Sequence, residues 1–255
     1  MLIKYLILGV VQGVTEFLPV SSSGHLVILQ RYLSLDENGC LVGVMLHLGT
    51  LLALSVFFFN DIKKITCDFF KRRNTKIVTY IAIVTLITAL SGILGRDFFK
   101  GFFSSPRKVC LMLIATGIVL LLTKKFTTNK RNFSELTIKD ALWLGIAQSL
   151  AIIPGISRSG ITISTLLFRG VNKESAFRFS FLAAIPVILG AFILESNGLS
   201  RLPGPVIIYL LAGTLAAFLS GLAALQILFT VIQKAKFSWF GYYCLAIGTM
   251  FLFIL

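Results

Sequence analysis

Charge is scarce in this chain, and acid most of all: ten Asp and Glu stand against 24 Lys and Arg, with two histidines, in 255 residues. Charged residues make up 13%, about half the quarter usual in soluble domains. Six stretches carry none at all: 41–60, 77–95, 109–123, 179–194, 202–233 and 237–255. A crossing takes about 20 apolar residues, fewer where Lys or Arg snorkel at the ends. The shortest stretch, 109–123, is bracketed by Lys108 and Lys124. Six crossings are expected, and what lies between them is too short for a soluble domain. Cys40, Cys67, Cys110 and Cys244 form no CxxC pair, which argues against a thiolate metal site or a disulfide framework and for structural thiols.

A net charge of +14 invites a nucleic-acid reading. The basic residues nevertheless sit in short segments between apolar runs, as the positive-inside rule requires, and no nucleic-acid partner is expected. The stretch Leu2–Val11 could pass for a signal peptide, but it has no small-residue cleavage site and runs straight into Gln12 and Glu16. It is read as part of the mature fold.

What the chain does contain is a repeat. LGVVQGVTEFLPVSSSG at 8–24 aligns without a gap to LGIAQSLAIIPGISRSG at 144–160, with six identities in seventeen (Leu8/Leu144, Gly9/Gly145, Gln12/Gln148, Ser21/Ser157, Ser23/Ser159, Gly24/Gly160). Pro19 and Pro154 differ by one place. This is an internal duplication, with repeats of about 1–125 and 137–255 in a single membrane domain. In each copy an apolar helix is broken by Pro and followed by Ser and Gly, whose backbone cannot face lipid unsatisfied. The expected solution is a re-entrant helical hairpin followed by three transmembrane helices. The fold class is therefore an all-α integral membrane protein of inverted-topology repeats, ten helices in all, because an odd number of crossings inverts the second copy.

Sixteen Lys and Arg fall in 60–76, 124–139, 169–178 and 233–236, against Lys4, Arg31, Arg96, Lys100, Arg107, Lys108 and Arg201 elsewhere, with Arg158 in a hairpin. The richer side is expected to be cytoplasmic.

Glu16 and Arg158 are the acid and the arginine at membrane depth, and such residues read first as functional. Gln12 and Glu16 share a helix face four residues apart. They offer oxygen acceptors to a hard divalent cation, Mg2+ or Ca2+, or to a bound proton. The run Ser21-Ser22-Ser23-Gly24-His25 opens a helix whose free N–H groups favour phosphate. Ser157-Arg158-Ser159-Gly160 and Thr162 supply a guanidinium and hydroxyls. Together these are a cation ligand, a hydroxyl nucleophile, an imidazole base and a clamp, the parts needed to cleave a phosphoanhydride. Plainer readings stand beside this one. Ser21, Ser22 and Ser159 also read as caps, Glu16 and Arg158 as a structural ion pair, His47 as a core residue, and the 23 phenylalanines as lipid-facing and interfacial filler.

The segments QGVTEFLPVSSSGH (12–25) and PGISRSGIT (154–162) resemble the two signatures of the bacitracin-resistance family of undecaprenyl-pyrophosphate phosphatases. The size and hydrophobic pattern match over essentially the whole chain. The resemblance implies ten helices with two re-entrant hairpins in a bacterial plasma membrane, and a site opening to the extracytoplasmic side. It implies an undecaprenyl-diphosphate phosphatase that removes the terminal phosphate of undecaprenyl pyrophosphate, recycling the carrier lipid for cell-wall synthesis. By matching position, Gln12 and Glu16 belong to the cation-linked motif. Ser22 and His25 belong to the catalytic turn, and Ser23, Ser157, Arg158, Ser159 and Thr162 to phosphate binding. Gln12 departs from members that carry an acid there. Ser22 is preferred over His25 as nucleophile, with His25 then its base. A secondary transporter or flippase for a prenyl-phosphate lipid is the alternative, since inverted broken-helix repeats are transporter architecture. A homodimer is left open.

Overall fold

The computed structural model describes residues 1–33, 39–73, 75–103, 105–126, 129–195, 204–234 and 236–254; Arg201, counted above, lies outside them. Among the described residues there is no β-strand beyond one isolated bridge, Arg131 to Val171. Twelve α-helices follow in order: α1 Leu2–Phe17, α2 Ser22–Leu33, α3 Gly39–Phe57, α4 Phe59–Phe70, α5 Lys76–Leu94, α6 Arg96–Phe103, α7 Pro106–Leu122, α8 Ile138–Leu150, α9 Arg158–Phe168, α10 Lys173–Glu195, α11 Gly204–Gln233 and α12 Trp239–Ile254. Two exceed the expected ten. One is α4, which turns away from α3 by 73° at Phe58, and the other is the eight-residue α6.

Among the described residues four helices are long and apolar enough to cross a membrane, and the bent α3–α4 pair, taken as one span, is a fifth. The sixth expected crossing, 237–255, is represented by α12, apolar but 16 residues long. At 1.5 Å per residue it reaches about 24 Å, short of a hydrocarbon core of about 30 Å. The protein is an all-α, multi-pass membrane protein. Leu94, Leu194, Ile208 and Phe253 are among many large apolar residues left exposed on its outside, as lipid contact requires.

Both proline-broken segments form helix pairs with adjacent ends. Leu18, before Pro19, is extended (φ −62°, ψ 143°) and stops α1, because the proline ring disfavours helical backbone in the residue before it. At the far end of the pair, Lys4 Nζ donates to the Leu33 carbonyl at 2.6 Å, joining the start of α1 to the end of α2. In the second pair, Asp140 in the first turn of α8 accepts from Arg169, just past α9, and from Arg131. Each pair therefore starts and ends together. Their turns meet: Ser159 Oγ donates to the Leu18 carbonyl at 3.3 Å, and Gly24 lies beside Gly155. Gly155 sits at φ +96°, and a Cβ there would fall 2.3 Å from the Val109 carbonyl, so no other residue fits.

Small residues bring the helices close, as membrane packing favours. A Cβ on Gly9 of α1 would lie 2.2 Å from the Gly213 carbonyl of α11. Inside the bundle Phe17, Phe58, Phe177 and Phe181 are buried with ring centroids 4.9 to 6.3 Å apart. The phenylalanines are thus not lipid-facing filler as a class. Phe59, Phe70 and Phe253 are exposed, whereas this group forms the core under the hairpin turns.

Candidate active site

Four elements converge on one carboxylate. Glu16, 7% exposed, ends α1. Its Oε1 accepts from Arg158 Nη2 at 2.7 Å. Its Oε2 accepts from Ser22 Oγ at 2.6 Å and Gln12 Nε2 at 3.1 Å, and lies 3.3 Å from His47 Nε2. Gln12 stands one turn before Glu16 on α1, Ser22 and Arg158 open α2 and α9, and His47 lies on α3. Ser22 and Arg158 occupy the same position of the two aligned segments, and they set a hydroxyl on Oε2 and a guanidinium on Oε1.

A buried ion pair by itself is weak evidence for either stability or function. Here Arg158 Nη1 is buried and has no hydrogen-bond partner, while the guanidinium carbon stacks 5.1 Å over Phe181. An orphaned N–H on a cation carries a desolvation cost that an incoming anion removes. A planar fork held by Glu16 on one nitrogen and free on the other suits a phosphate oxygen.

His47, read from sequence as core, is instead part of this cluster. Its Nδ1 lies 2.7 Å from the Gly43 carbonyl, which can only accept, so Nδ1 carries hydrogen. Its Nε2 faces Glu16 Oε2 at 3.3 Å. His25 does not fill the place expected for it. Its Nδ1 is 2.8 Å from the Ser21 carbonyl and its Nε2 2.8 Å from the Tyr243 hydroxyl, so neither ring nitrogen is directed to Ser22.

The hydroxyls of the second turn are engaged with protein. Ser157 Oγ accepts from the Gly160 N–H at 3.1 Å as the N-cap of α9. Ser159 bonds Leu18 and Ser157. Thr162 is fully buried and bonds the Arg158 carbonyl and Ser180, both at 2.6 Å. These three lock the turn rather than face the carboxylate. Ser23 is partly exposed, with Oγ 3.3 Å from Ser21 Oγ.

Residues 5–250 match the family model described as bacitracin resistance protein BacA. The chain belongs to that family. It is 40% identical over 256 residues to the undecaprenyl-diphosphatase of Halothermothrix orenii, covering 98% of this chain and 97% of that protein. Its identity to the undecaprenyl-diphosphatase of Carboxydothermus hydrogenoformans is 41% over 251 residues, covering 97% and 95%. For that of Thermotoga maritima the identity is 40% over 245 residues, covering 96% and 97%.

For this BacA-family site the donor set bears on a divalent cation. Among the described residues no three His, Cys, Asp or Glu gather as a metal cage. Gln12 Oε1, beside Glu16, is buried and unpartnered. One carboxylate and one open amide oxygen fit a cation that completes its shell with substrate phosphates and water, the habit of Mg2+ more than of a protein-caged ion.

Proposed function

We propose that the chain hydrolyses undecaprenyl pyrophosphate to undecaprenyl phosphate and inorganic phosphate, returning the carrier lipid to cell-wall synthesis. It works as an undecaprenyl-diphosphate phosphatase. The observation that carries the reading is Ser22 Oγ, 2.6 Å from Glu16 Oε2, with the free Nη1 of Arg158 on the other side of the same carboxylate.

Ser22 Oγ attacks the terminal phosphorus and gives its proton to Glu16 Oε2. The bond from phosphorus to the bridging oxygen breaks, and undecaprenyl phosphate leaves with the electron pair. Water then hydrolyses the phosphoserine. Arg158 holds the phosphate oxygens, and the α2 N-terminus contributes its partial positive charge. Gln12 and Glu16 are the residues that would hold the cation, which when bound neutralises charge on the phosphates.

Two inverted repeats of about 1–125 and 137–255 fit the packing. Exchanging each helix for its counterpart carries the α1–α11 contact onto α8–α5 and the α3–α11 contact onto α10–α5, while α7–α12 and α3–α10 map onto themselves. Pairs whose ends stay together and whose turns meet enter from opposite faces. With the basic segments cytoplasmic, α1 and α2 enter from outside, and the site opens to the extracytoplasmic side of a bacterial plasma membrane. Cys67, exposed in the basic segment 60–76, then labels with an impermeant maleimide only after the cytoplasmic face is opened. Arg107→Cys labels in intact cells. Both tests are made with Cys40 replaced by Ser, and the opposite pattern inverts the protein.

The purified protein in detergent should release inorganic phosphate from undecaprenyl pyrophosphate and stop on chelation with EDTA. The site is complete within one chain, so a homodimer is not required. Lipid movement across vesicles without phosphate release would favour the flippase reading instead.

A further inference from the structure

Two neighbouring residues of α12 grip the turn that carries Ser22. Tyr243 reaches it through His25. The rings stack at 10° with centroids 5.8 Å apart, and the hydroxyl lies 2.8 Å from His25 Nε2. The Ser21 carbonyl, 2.8 Å from Nδ1, can only accept, so Nδ1 carries the hydrogen. The neutral ring then has one lone pair, on Nε2, and Tyr243 donates to it. Cys244 Sγ donates to the Pro19 carbonyl at 3.4 Å. The gripped backbone is strained: Ser21 has φ +66°, a left-handed conformation that a residue with a Cβ adopts only when its surroundings impose it.

The other half of the molecule repeats the device with different chemistry. Thr116 of α7, the counterpart of α12, donates from Oγ1 to the Gly155 carbonyl at 3.0 Å and accepts from the Ser157 N–H at 3.1 Å. Gly155 too has positive φ. Each turn is thus fixed by the last helix of the opposite repeat. In the second turn a threonine suffices. In the first, the contact runs through an imidazole and a tyrosine.

We infer that Tyr243 is a positioning residue for the hydrolysis, acting through His25 to hold the Ser21 carbonyl and so the left-handed turn that aims Ser22 at Glu16. Resting on Ser22 as the attacking group, this assigns His25 a supporting role and leaves it neither base nor nucleophile, because its one lone pair is occupied.

Tyr243→Phe keeps the stacked ring and removes only the hydroxyl. It should lower kcat about tenfold with KM within about twofold, the size of effect expected for one lost hydrogen bond. His25→Asn keeps a donor near the Ser21 carbonyl and loses the tyrosine link. It should match Tyr243→Phe, and the double variant should be no worse than either single, as for residues acting as one unit. The chain has two histidines, so a spectrum of 15N-histidine protein is simple. Wild type should show one ring protonated at Nδ1 with a hydrogen-bonded Nε2, and Tyr243→Phe should shift that Nε2 signal alone. An unchanged kcat, an unchanged Nε2 signal, or a rise in KM with kcat intact would overturn the assignment. Ser22→Ala separates the two levels. If it is inactive while Tyr243→Phe is unaffected, only the tyrosine's role fails; if Ser22→Ala keeps activity, Ser22 as the attacking group fails, and loss of phosphate release from the wild type itself is what would sink the hydrolytic reading.

Discussion

Arg158→Ala should lower kcat/KM by roughly a thousandfold or more, the upper part of the range for removing one preorganised donor at a charged transition state, and Arg158→Lys should recover little of it. Two roles fall on this side chain. Nη2 neutralises Glu16 at 2.7 Å, and Nη1, buried and unpartnered, awaits the phosphate. A lysine ammonium restores the charge but not the planar fork that serves both partners at once. The alanine variant also leaves Glu16 buried beside only His47, Gln12 and Ser22, and breaking such a pair costs about 3–5 kcal/mol of stability. The lysine variant is therefore the informative one, measured as phosphate release against lipid concentration with thermal unfolding alongside. Near-wild-type kinetics in a folded Arg158→Lys protein would remove the clamp.

Ser22→Ala should lose turnover by on the order of 10⁴-fold or more, as when a covalent nucleophile is deleted. Binding of the lipid pyrophosphate should survive, because Arg158 and the α2 N-terminus remain. Ser22 is 8% exposed and its hydroxyl is bonded to Glu16 alone among the described residues, so removing it creates little void. A variant that turns over normally would make the serine a cap and move the attacking group elsewhere.

Much of this site was legible in the sequence because its parts are local. Gln12 and Glu16 are one helical turn apart, the serines follow a proline, and Arg158 lies just past the second proline break, at the position that aligns with Ser22. The two proline breaks also read as helix pairs, and their turns touch in the structure. What escaped was carried by contacts between distant helices. His47, Phe181 and Tyr243 each sit in an apolar run, and nothing in the run says which face looks inward once neighbouring helices replace lipid. His25 misled for the opposite reason. Three residues after Ser22, it shares a helix face with it, but its ring turns to Tyr243, 218 residues away. The break between α3 and α4 was also invisible, because residues 41–60 contain no proline and remain apolar through Phe58. The exposed phenylalanines and those of the core are alike in sequence, and only packing divides them.

The central claim, that Ser22 becomes the phosphate carrier during turnover, is open to one direct measurement. Undecaprenyl pyrophosphate labelled at its terminal phosphorus is mixed with the protein, denatured with dodecyl sulfate at neutral pH within the first turnovers, and the protein is digested and mapped at neutral pH, where phosphoserine and phosphohistidine both survive. Label on the peptide containing Ser22, absent from Ser22→Ala and chased away on longer incubation, is the result expected. Label on His25, or phosphate released with no label on protein at any time, would contradict it.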